Sequence, residues 1–226
     1  MEIILADRAG FCFGVKRAVE MTEKELTNTN ENIFSLGPLI HNPQAVKEFE
    51  EKGLKTIDEI NGLNNSKVVI RSHGVSKAVV DKMKEQNIDI IDSTCPYVKS
   101  VHKKVEEFQK QGYNIVIVGD ENHPEIIGIN GWCNNEAFII NSEMEALNLP
   151  KMDKVCVVSQ TTNTQEKFEA LSEIVKEKGE EVKIFNTICN ATNQRQESCK
   201  EVAMKVDAMI VIGGYHSSNT NKLVEI

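Results

Sequence analysis

The sequence predicts an α/β fold, in which short buried strands of parallel sheets alternate with amphipathic helices. The predicted strands are brief runs rich in Ile and Val that are apolar throughout, as expected when both faces of a parallel sheet are covered. Helical patterns fill the intervals between these runs, which is the second observation that favours this fold. The strands are predicted at residues 3–6, 32–36, 67–71, 88–92, 113–119, 137–140, 154–159, 182–185 and 208–213.

Two of the predicted helices are marked clearly at both ends. One begins at Pro96, a residue type favoured at the first helical position, and stops at Gly112, with apolar residues at helical spacing between them. The other begins near Asn163, has Glu166 three residues further on as a capping partner, and ends at Gly179.

A coarse threefold rhythm divides the chain. Cys12, Cys95 and Cys189 recur at comparable intervals, and each opens a helical stretch. This rhythm predicts three α/β units, at residues 1–94, 95–188 and 189–226. The third unit has one strand pattern and ends part-way into a further helical pattern, so we expect it to be an incomplete domain.

Composition and charge narrow the functional class. Hydrophobic residues make up 40% and charged residues 27% of the 226 residues, which is ordinary for a globular protein with a buried core. The formal charge of −8 argues against a nucleic-acid-binding surface, although a locally positive pocket can still bind a small anion. No apolar run approaches the roughly 18–20 residues of a membrane span, and the N-terminus lacks a secretory signal pattern. We therefore expect a cytoplasmic protein whose six cysteines are thiols, ligands or nucleophiles.

Cys12, Cys95 and Cys189 are predicted to bind one metal centre. Each lies between a predicted strand and a predicted helix, where unpaired backbone N–H groups and the helix dipole favour a thiolate. Loops at the carboxyl ends of parallel strands converge, and three protein ligands leave one metal position open for a substrate. Three unrelated core cysteines are the alternative. Spacing alone does not separate an iron–sulfur cluster from zinc, because no CxxC pair is present.

Four other residues are predicted to be structural. Cys156 lies inside a predicted strand, Cys199 within a helix, and Cys133 in an irregular segment, so we expect all three to be core residues. His102 lies in the middle of a helix, off its apolar stripe, and is predicted to face solvent.

Three histidines and a glutamate are candidates for anion binding and proton transfer. His41, His73 and His123 each follow a predicted strand, beside the Gly, Asn or Pro residues that mark loops. A protonated histidine can neutralise an anion, although any one loop histidine is more often a surface or capping residue. Glu125 follows His123 by two residues, so a proton donor and its partner can face one cavity.

Two segments rich in Ser, Thr and Asn also follow predicted strands, at residues 159–164 and 215–223. Hydroxyl and amide groups at a strand end, together with the backbone N–H groups of the next helix, can form a neutral anion cradle. Ordinary helix capping by the same residue types is the alternative. His216 either belongs to this cradle or faces solvent.

Eight segments in order along the chain resemble one family, the 4-hydroxy-3-methylbut-2-enyl diphosphate reductases of the non-mevalonate isoprenoid pathway. The similarity runs from residue 9 to about residue 223. The matching segments are AGFCFGVKRAV, GPLIHNPQAV, RSHGV, DSTCPYV, HPE, SQTT, CNATNQRQ and SSNTN.

The resemblance implies three α/β domains in a pseudo-threefold arrangement around a central 4Fe–4S cluster. Cys12, Cys95 and Cys189 would hold this cluster, with its apical iron open to the hydroxyl of the substrate. The family also implies a ferredoxin or flavodoxin as electron donor, and we expect a monomer.

The resemblance also assigns the remaining site residues. Glu125 would deliver protons and Thr161 would hydrogen-bond near the substrate hydroxyl, which leaves as water after two-electron, two-proton reduction. The products would be isopentenyl and dimethylallyl diphosphate. The diphosphate would be bound by His41, His73, His123, Ser217, Ser218 and Asn219.

Two other functions remain open at the level of the sequence. A non-catalytic iron–sulfur electron carrier or redox sensor would use the same cysteines, but it would need no anion pocket. A zinc-dependent hydrolase would use the same Cys and His residues.

Family members continue past SSNTN to a further Ser-containing loop that also contacts the diphosphate. This segment is not part of the sequence, so we expect one anion contact and the closing strands of the third domain to be missing here.

Overall fold

A computed structural model of the chain describes residues 2–29, 31–63 and 66–226. Its strands form two four-stranded sheets, with the orders β2-β1-β3-β4 and β6-β5-β7-β8, and every neighbouring pair is parallel. The α/β class with parallel sheets is therefore confirmed. The strands are β1 (Ile33–Leu36), β2 (Lys55–Ile57), β3 (Lys67–Ile70), β4 (Asp89–Asp92), β5 (Asn114–Val118), β6 (Phe138–Ile140), β7 (Met152–Ser159) and β8 (Gly179–Ile184).

Helices lie between most successive strands, as crossovers between parallel strands require. The two helices that the sequence marks at both ends lie close to their predicted bounds. One of them, α4, starts at Pro96, and the other, α7, ends three residues before Gly179. The helices are α1 (Phe13–Asn28), α2 (Pro43–Glu51), α3 (Lys77–Glu85), α4 (Pro96–Lys110), α5 (Pro124–Asn130), α6 (Glu143–Leu147), α7 (Gln165–Lys176), α8 (Asn190–Ala203) and α9 (Ser218–Glu225).

The second sheet is buried on both faces. Along β5, Val116 and Val118 pack into one apolar cluster, whereas Ile115 and Ile117 pack into another on the opposite face. Successive side chains of a strand point to opposite faces, so this division follows from the pleat. An uninterrupted run of Ile and Val is therefore what a central strand of this sheet requires.

The strand ends position the candidate site. Because all strands in a sheet are parallel, their carboxyl ends share one edge, and the loops that follow them lie close together. His73 follows β3, Cys95 follows β4, His123 follows β5 and Thr161 follows β7. Cys189 lies beyond β8, directly before α8.

Two predicted strands are wrong, and one strand was missed. Residues 3–6 and 208–213 form no strand, and most of their apolar side chains are exposed; Ile3 and Ile212, for example, are 82% and 92% exposed. A strand needs a neighbour to accept its hydrogen bonds, and these segments pair with neither sheet. The missed strand, β2, has only three residues and lies at a sheet edge. The prediction of three units at 1–94, 95–188 and 189–226 stays a prediction; the two sheets fall within the first two ranges.

The structural cysteines were predicted correctly, and His102 was not. Cys133, Cys156 and Cys199 are all buried. His102 is only 4% exposed and stacks on Trp132, with ring centroids 5.2 Å apart. In the described part of the chain, no helix is both long and apolar enough to cross a bilayer.

Candidate functional site

Cys12, Cys95 and Cys189 each occupy the residue before a helix, at the N-termini of α1, α4 and α8 respectively. All three are free thiols. Two of them converge over Gly14, because a Cβ atom added to this glycine would lie 2.5 Å from Cys95 Sγ and 4.0 Å from Cys12 Sγ. Cys189 is close enough to both other cysteines to act electrostatically on Cys95 and to be affected by Cys12. The predicted convergence of the three cysteines is therefore present.

The pKa values of Cys95 and Cys189 depend mainly on burial. Burial raises the pKa of Cys95 above its ordinary value, and the backbone N–H groups of Tyr97 and Val98 only partly oppose this. Burial likewise raises the pKa of Cys189, against hydrogen bonds from Thr192. The helix N-termini thus favour the thiolates less than burial disfavours them. A bound metal cation would reverse this balance, because metal coordination deprotonates a thiol.

The arrangement of the thiols suits an iron–sulfur cluster. Several cysteine thiolates hold such a cluster from its periphery, and three of them leave one metal position without a cysteine ligand. Three free thiols at three helix N-termini that approach one another provide this donor set.

His41, His73 and His123 form the histidine cluster. The ring centroids of His41 and His73 are 4.3 Å apart, and that of His123 lies 5.4 Å and 5.6 Å from the other two. Two buried ring nitrogens, His41 Nε2 and His73 Nδ1, have no hydrogen-bond partner. Buried polar atoms without partners are rare in folded proteins, so these nitrogens indicate a binding site for a polar ligand.

Burial is the main cause of the low pKa of each ring in the histidine cluster. It lowers the pKa of His41, lowers that of His73 well below 6.5, and lowers that of His123 to about 4. Nearby positive groups, including Arg71, lower all three further. Without a ligand, His73 and His123 are therefore neutral at pH 7.

Glu125 lies between the histidine cluster and the cysteines. Its carboxyl group is 2% exposed and accepts two hydrogen bonds from Thr161, from N to Oε1 and from Oγ1 to Oε2, both 2.7 Å long. Burial raises the pKa of Glu125, and the bonds from Thr161 oppose this shift. The Thr161 carbonyl accepts a hydrogen bond from the Cys189 N–H at 3.0 Å, so one residue links the carboxyl group to the cysteine. A carboxyl group in this setting can hold and release a proton.

A cavity of about 880 Å³ opens beside the histidine cluster, and His41, His123, His216 and Ser218 line it. Ser218 Oγ lies 2.8 Å from Thr162 Oγ1, which joins the two polar segments predicted from the sequence. Ser217 and Asn219, the neighbours of Ser218 in the sequence, lie outside the cavity. Ser217 caps α9 by accepting a hydrogen bond from Thr220 N, and Asn219 is half-buried in the first turn of that helix. Neither residue lines the cavity, so their predicted binding roles stay predictions.

Two cavity residues were missed at the level of the sequence. Arg71 lines the cavity and was treated only as the end of a strand pattern. Gln160 is 4% exposed, and its side chain bonds the Asp120 N–H and Ser218 Oγ, so it ties two loops together. A charged residue directly after a buried strand was the available signal for Arg71.

Comparisons with known proteins agree with this arrangement. A family model described as LytB protein matches residues 3–226. The 4-hydroxy-3-methylbut-2-enyl diphosphate reductase of Caldanaerobacter subterraneus subsp. tengcongensis is 52% identical over all of this chain and 80% of its own length. The enzyme of the same name from Clostridioides difficile is 48% identical over all of this chain and 82% of its own length.

Two solved structures match as well. One, described as (E)-4-hydroxy-3-methyl-but-2-enyl diphosphate reductase, the terminal enzyme of the non-mevalonate pathway, aligns with a TM-score of 0.75 at 41% identity, over 98% of this chain and 80% of its own. A reductase from Plasmodium falciparum aligns with a TM-score of 0.89 at 29% identity, over 97% of this chain and 70% of its own. The chain belongs to the LytB family of 4-hydroxy-3-methylbut-2-enyl diphosphate reductases.

Proposed function

We propose that this chain removes the allylic hydroxyl group of 4-hydroxy-3-methylbut-2-enyl diphosphate by two-electron, two-proton reduction. One proton joins the hydroxyl oxygen, which leaves as water when the C–O bond breaks. The second proton forms a C–H bond on the reduced allylic fragment, which gives isopentenyl or dimethylallyl diphosphate. The chain would act as a cytoplasmic monomer and receive its electrons from a ferredoxin or flavodoxin. The observation that carries the proposal is the position of Glu125, which lies between three converging thiols and a separate cluster of three histidines.

Cys12, Cys95 and Cys189 would hold a 4Fe–4S cluster. The donor set fits this group, because three free cysteines converge from three helix N-termini. When bound, the cluster would supply electrons one at a time and an iron position that no cysteine occupies.

Glu125 would supply a proton to the leaving oxygen. Hydroxide is a poor leaving group, so a proton donor at this position assists C–O cleavage. Because burial raises the pKa of Glu125, its carboxyl group retains a proton more readily than an exposed glutamate. Thr161 holds both carboxyl oxygens and thereby orients the group.

The histidine cluster would bind the diphosphate, together with the first turn of α9. Unpartnered nitrogens on His41 and His73 can donate hydrogen bonds to phosphate oxygens once the rings are protonated. Ser218, the first residue of α9, lines the cavity, so its hydroxyl and the N-terminal N–H groups of this helix can add donors for an anion. A simple electron carrier would need none of these groups, which disfavours that alternative.

The zinc hydrolase alternative rests on one observation, the spacing of the histidine cluster, whose ligand atoms lie within 4.8 Å of one another. Anaerobic purification and metal analysis distinguish the two functions. Protein that binds iron and sulfide and turns over the allylic diphosphate supports the reductase. Colourless protein with stoichiometric zinc and no iron would refute it.

Two substitutions separate the roles within the site. Glu125→Gln should lose turnover by a factor of about 100 or more, with iron content unchanged, because general acid catalysis contributes roughly 10²–10⁴-fold. Glu121→Gln, an exposed residue four positions earlier, is the matched control and should keep full activity. Unchanged turnover in Glu125→Gln would remove Glu125 from this role.

Cys95→Ser should instead lose the cluster, because it removes one of the three thiols. Cys199→Ser is the control, since Cys199 is also a free cysteine but contacts Met209 and Leu223 rather than the other predicted ligands. The measurement is iron and sulfide content after anaerobic reconstitution. Equal cluster content in both variants would contradict the assignment of Cys95.

A further inference from the structure

Arg71 is a half-buried cation that makes no ion pair within the described residues. It follows β3 directly and lies two residues before His73. Its Nε atom is buried and has no hydrogen-bond partner. Throughout the described ranges, its guanidinium group makes no ion pair, and no acidic group affects its pKa, which burial lowers. Arginine stays charged in proteins, so this charge is held at a cost that only a ligand would offset.

The chain makes room for this guanidinium group at Gly37. A Cβ atom added to Gly37 would overlap Arg71 Nη1 and lie 3.2 Å from Arg71 Cζ. Gly37 also has a φ of +70°, a conformation that favours glycine. The turn after β1 thus leaves space for the arginine where any other residue would displace it.

Arg71 faces the histidine cluster. Its charge lowers the pKa of His41, His73 and His123, and it lines the same cavity as His41 and His123. Lys222, another cation of the cavity wall, is already paired with Glu225 at 2.8 Å. Arg71 is therefore a permanent positive charge of this cavity that has no partner within the described residues.

We propose that Arg71 binds the anionic oxygens of the substrate's diphosphate, and that Gly37 is required to hold Arg71 in place. This inference rests on the proposed function, because it assigns a further residue to the same anion pocket. The planar guanidinium fork can pair with two phosphate oxygens at once, which a lysine cannot do. The histidines then add hydrogen bonds around an anion that the arginine has already attracted.

The test compares Arg71→Gln and Arg71→Lys in the cluster-loaded protein. Arg71→Gln should raise KM for the allylic diphosphate, and weaken binding of inorganic pyrophosphate measured by calorimetry, by about 10- to 100-fold. Arg71→Lys should have a KM and a pyrophosphate affinity between those of wild type and Arg71→Gln. Iron content and cluster absorption should not change. Lys110→Gln removes the same charge from an exposed site on α4, and should leave both quantities unchanged.

Gly37→Ala tests the second half of the proposal, because it displaces the guanidinium group without removing its charge. KM should rise in this variant too. The inference would be overturned if Arg71→Gln kept a KM and a pyrophosphate affinity within twofold of wild type. It would also be overturned if Arg71→Gln and Lys110→Gln lost pyrophosphate affinity equally. Failure of the proposed function is a different result: wild-type protein that binds pyrophosphate through Arg71 but does not reduce the allylic diphosphate.

Discussion

Replacing Gly14 with alanine should remove the metal centre without unfolding the protein. Gly14 is the second residue of α1, two residues after Cys12. The added methyl carbon would lie 2.5 Å from Cys95 Sγ and 3.2 Å from Cys95 Cβ. Optimal contacts between non-bonded heavy atoms are about 3.5–4.0 Å, so the thiol of Cys95 must move by about 1 Å.

A displacement of this size is large for a metal ligand. Metal–ligand distances are held within about 0.2 Å of their ideal values, so a shift of about 1 Å in one of three thiols prevents normal coordination. The helix itself gains from the change, because alanine stabilises a helix interior by roughly 0.5–1 kcal/mol relative to glycine. Loss of the cluster should therefore occur in a protein that keeps its secondary structure.

The assay is iron and sulfide content after anaerobic reconstitution, with circular dichroism as a measure of folding. Gly128→Ala is the matched control, because Gly128 is also a helical glycine, but an added Cβ there meets its nearest atoms at an ordinary 3.7 Å. Gly128→Ala should load fully. A Gly14→Ala protein with wild-type iron and sulfide content would refute the assignment of Cys95 as a ligand in this geometry.

Two further predictions concern histidines. Burial lowers the pKa values of the histidine cluster, and a bound anion raises them again, so pyrophosphate binding should take up protons and tighten as pH falls from about 8 to 6. Calorimetry in buffers of different ionisation enthalpy measures this proton uptake. Its absence would contradict the role of the cluster. Burial also lowers the pKa of His102 to about 4, so the unfolded chain binds a proton that the folded chain does not between pH 6.5 and 4. The free energy of unfolding should fall as pH is lowered across this range, and His102 should account for roughly 3 kcal/mol of the fall. In urea unfolding at pH 7 and pH 4, His102→Phe should reduce the difference between the two free energies by that amount. A difference equal to that of wild type would refute this role of His102.

Local sequence patterns correctly predicted the central strands, which are buried on both faces of their sheets. The strand patterns at 67–71, 113–119 and 154–159 were correct because central strands of a parallel sheet are buried on both faces, and an apolar run is enough to mark them. The runs at 3–6 and 208–213 have the same composition but form no strand. A strand exists only if another strand pairs with it, and composition carries no information about that partner.

His102 shows how residue type can hide a correct spacing. In α4, Val98, Val101 and Val105 face the core, and His102 lies one residue after Val101 and four after Val98, which is also on that face. The spacing therefore places His102 on the buried face, and its assignment to a position off the apolar stripe was wrong. The actual environment, a stacked Trp132 from a distant turn, is a tertiary contact that spacing within one helix does not report.

The site residues were predictable to the extent that their chemistry is local. A cysteine before a helix, or a histidine after a strand, can be identified from its neighbours. Arg71 could not be assigned in this way, because its significance lies in what is missing around it, an acidic partner, and in the space that Gly37 leaves for it. Both facts depend on three-dimensional packing.

The two ends of the site are electrostatic opposites, and this is the strongest argument for a substrate that spans them. At one end, burial raises the pKa values of Cys95, Cys189 and Glu125, so each of these groups keeps a proton more readily than an exposed group of its kind. At the other, burial lowers the pKa values of the histidine cluster and leaves Arg71 unpaired until an anion is bound. An electron carrier would need only the first end and an anion-binding protein only the second. A molecule with a diphosphate at one end and a reducible hydroxyl group at the other uses both, and Glu125 lies between them, where the proposed reaction needs a proton donor.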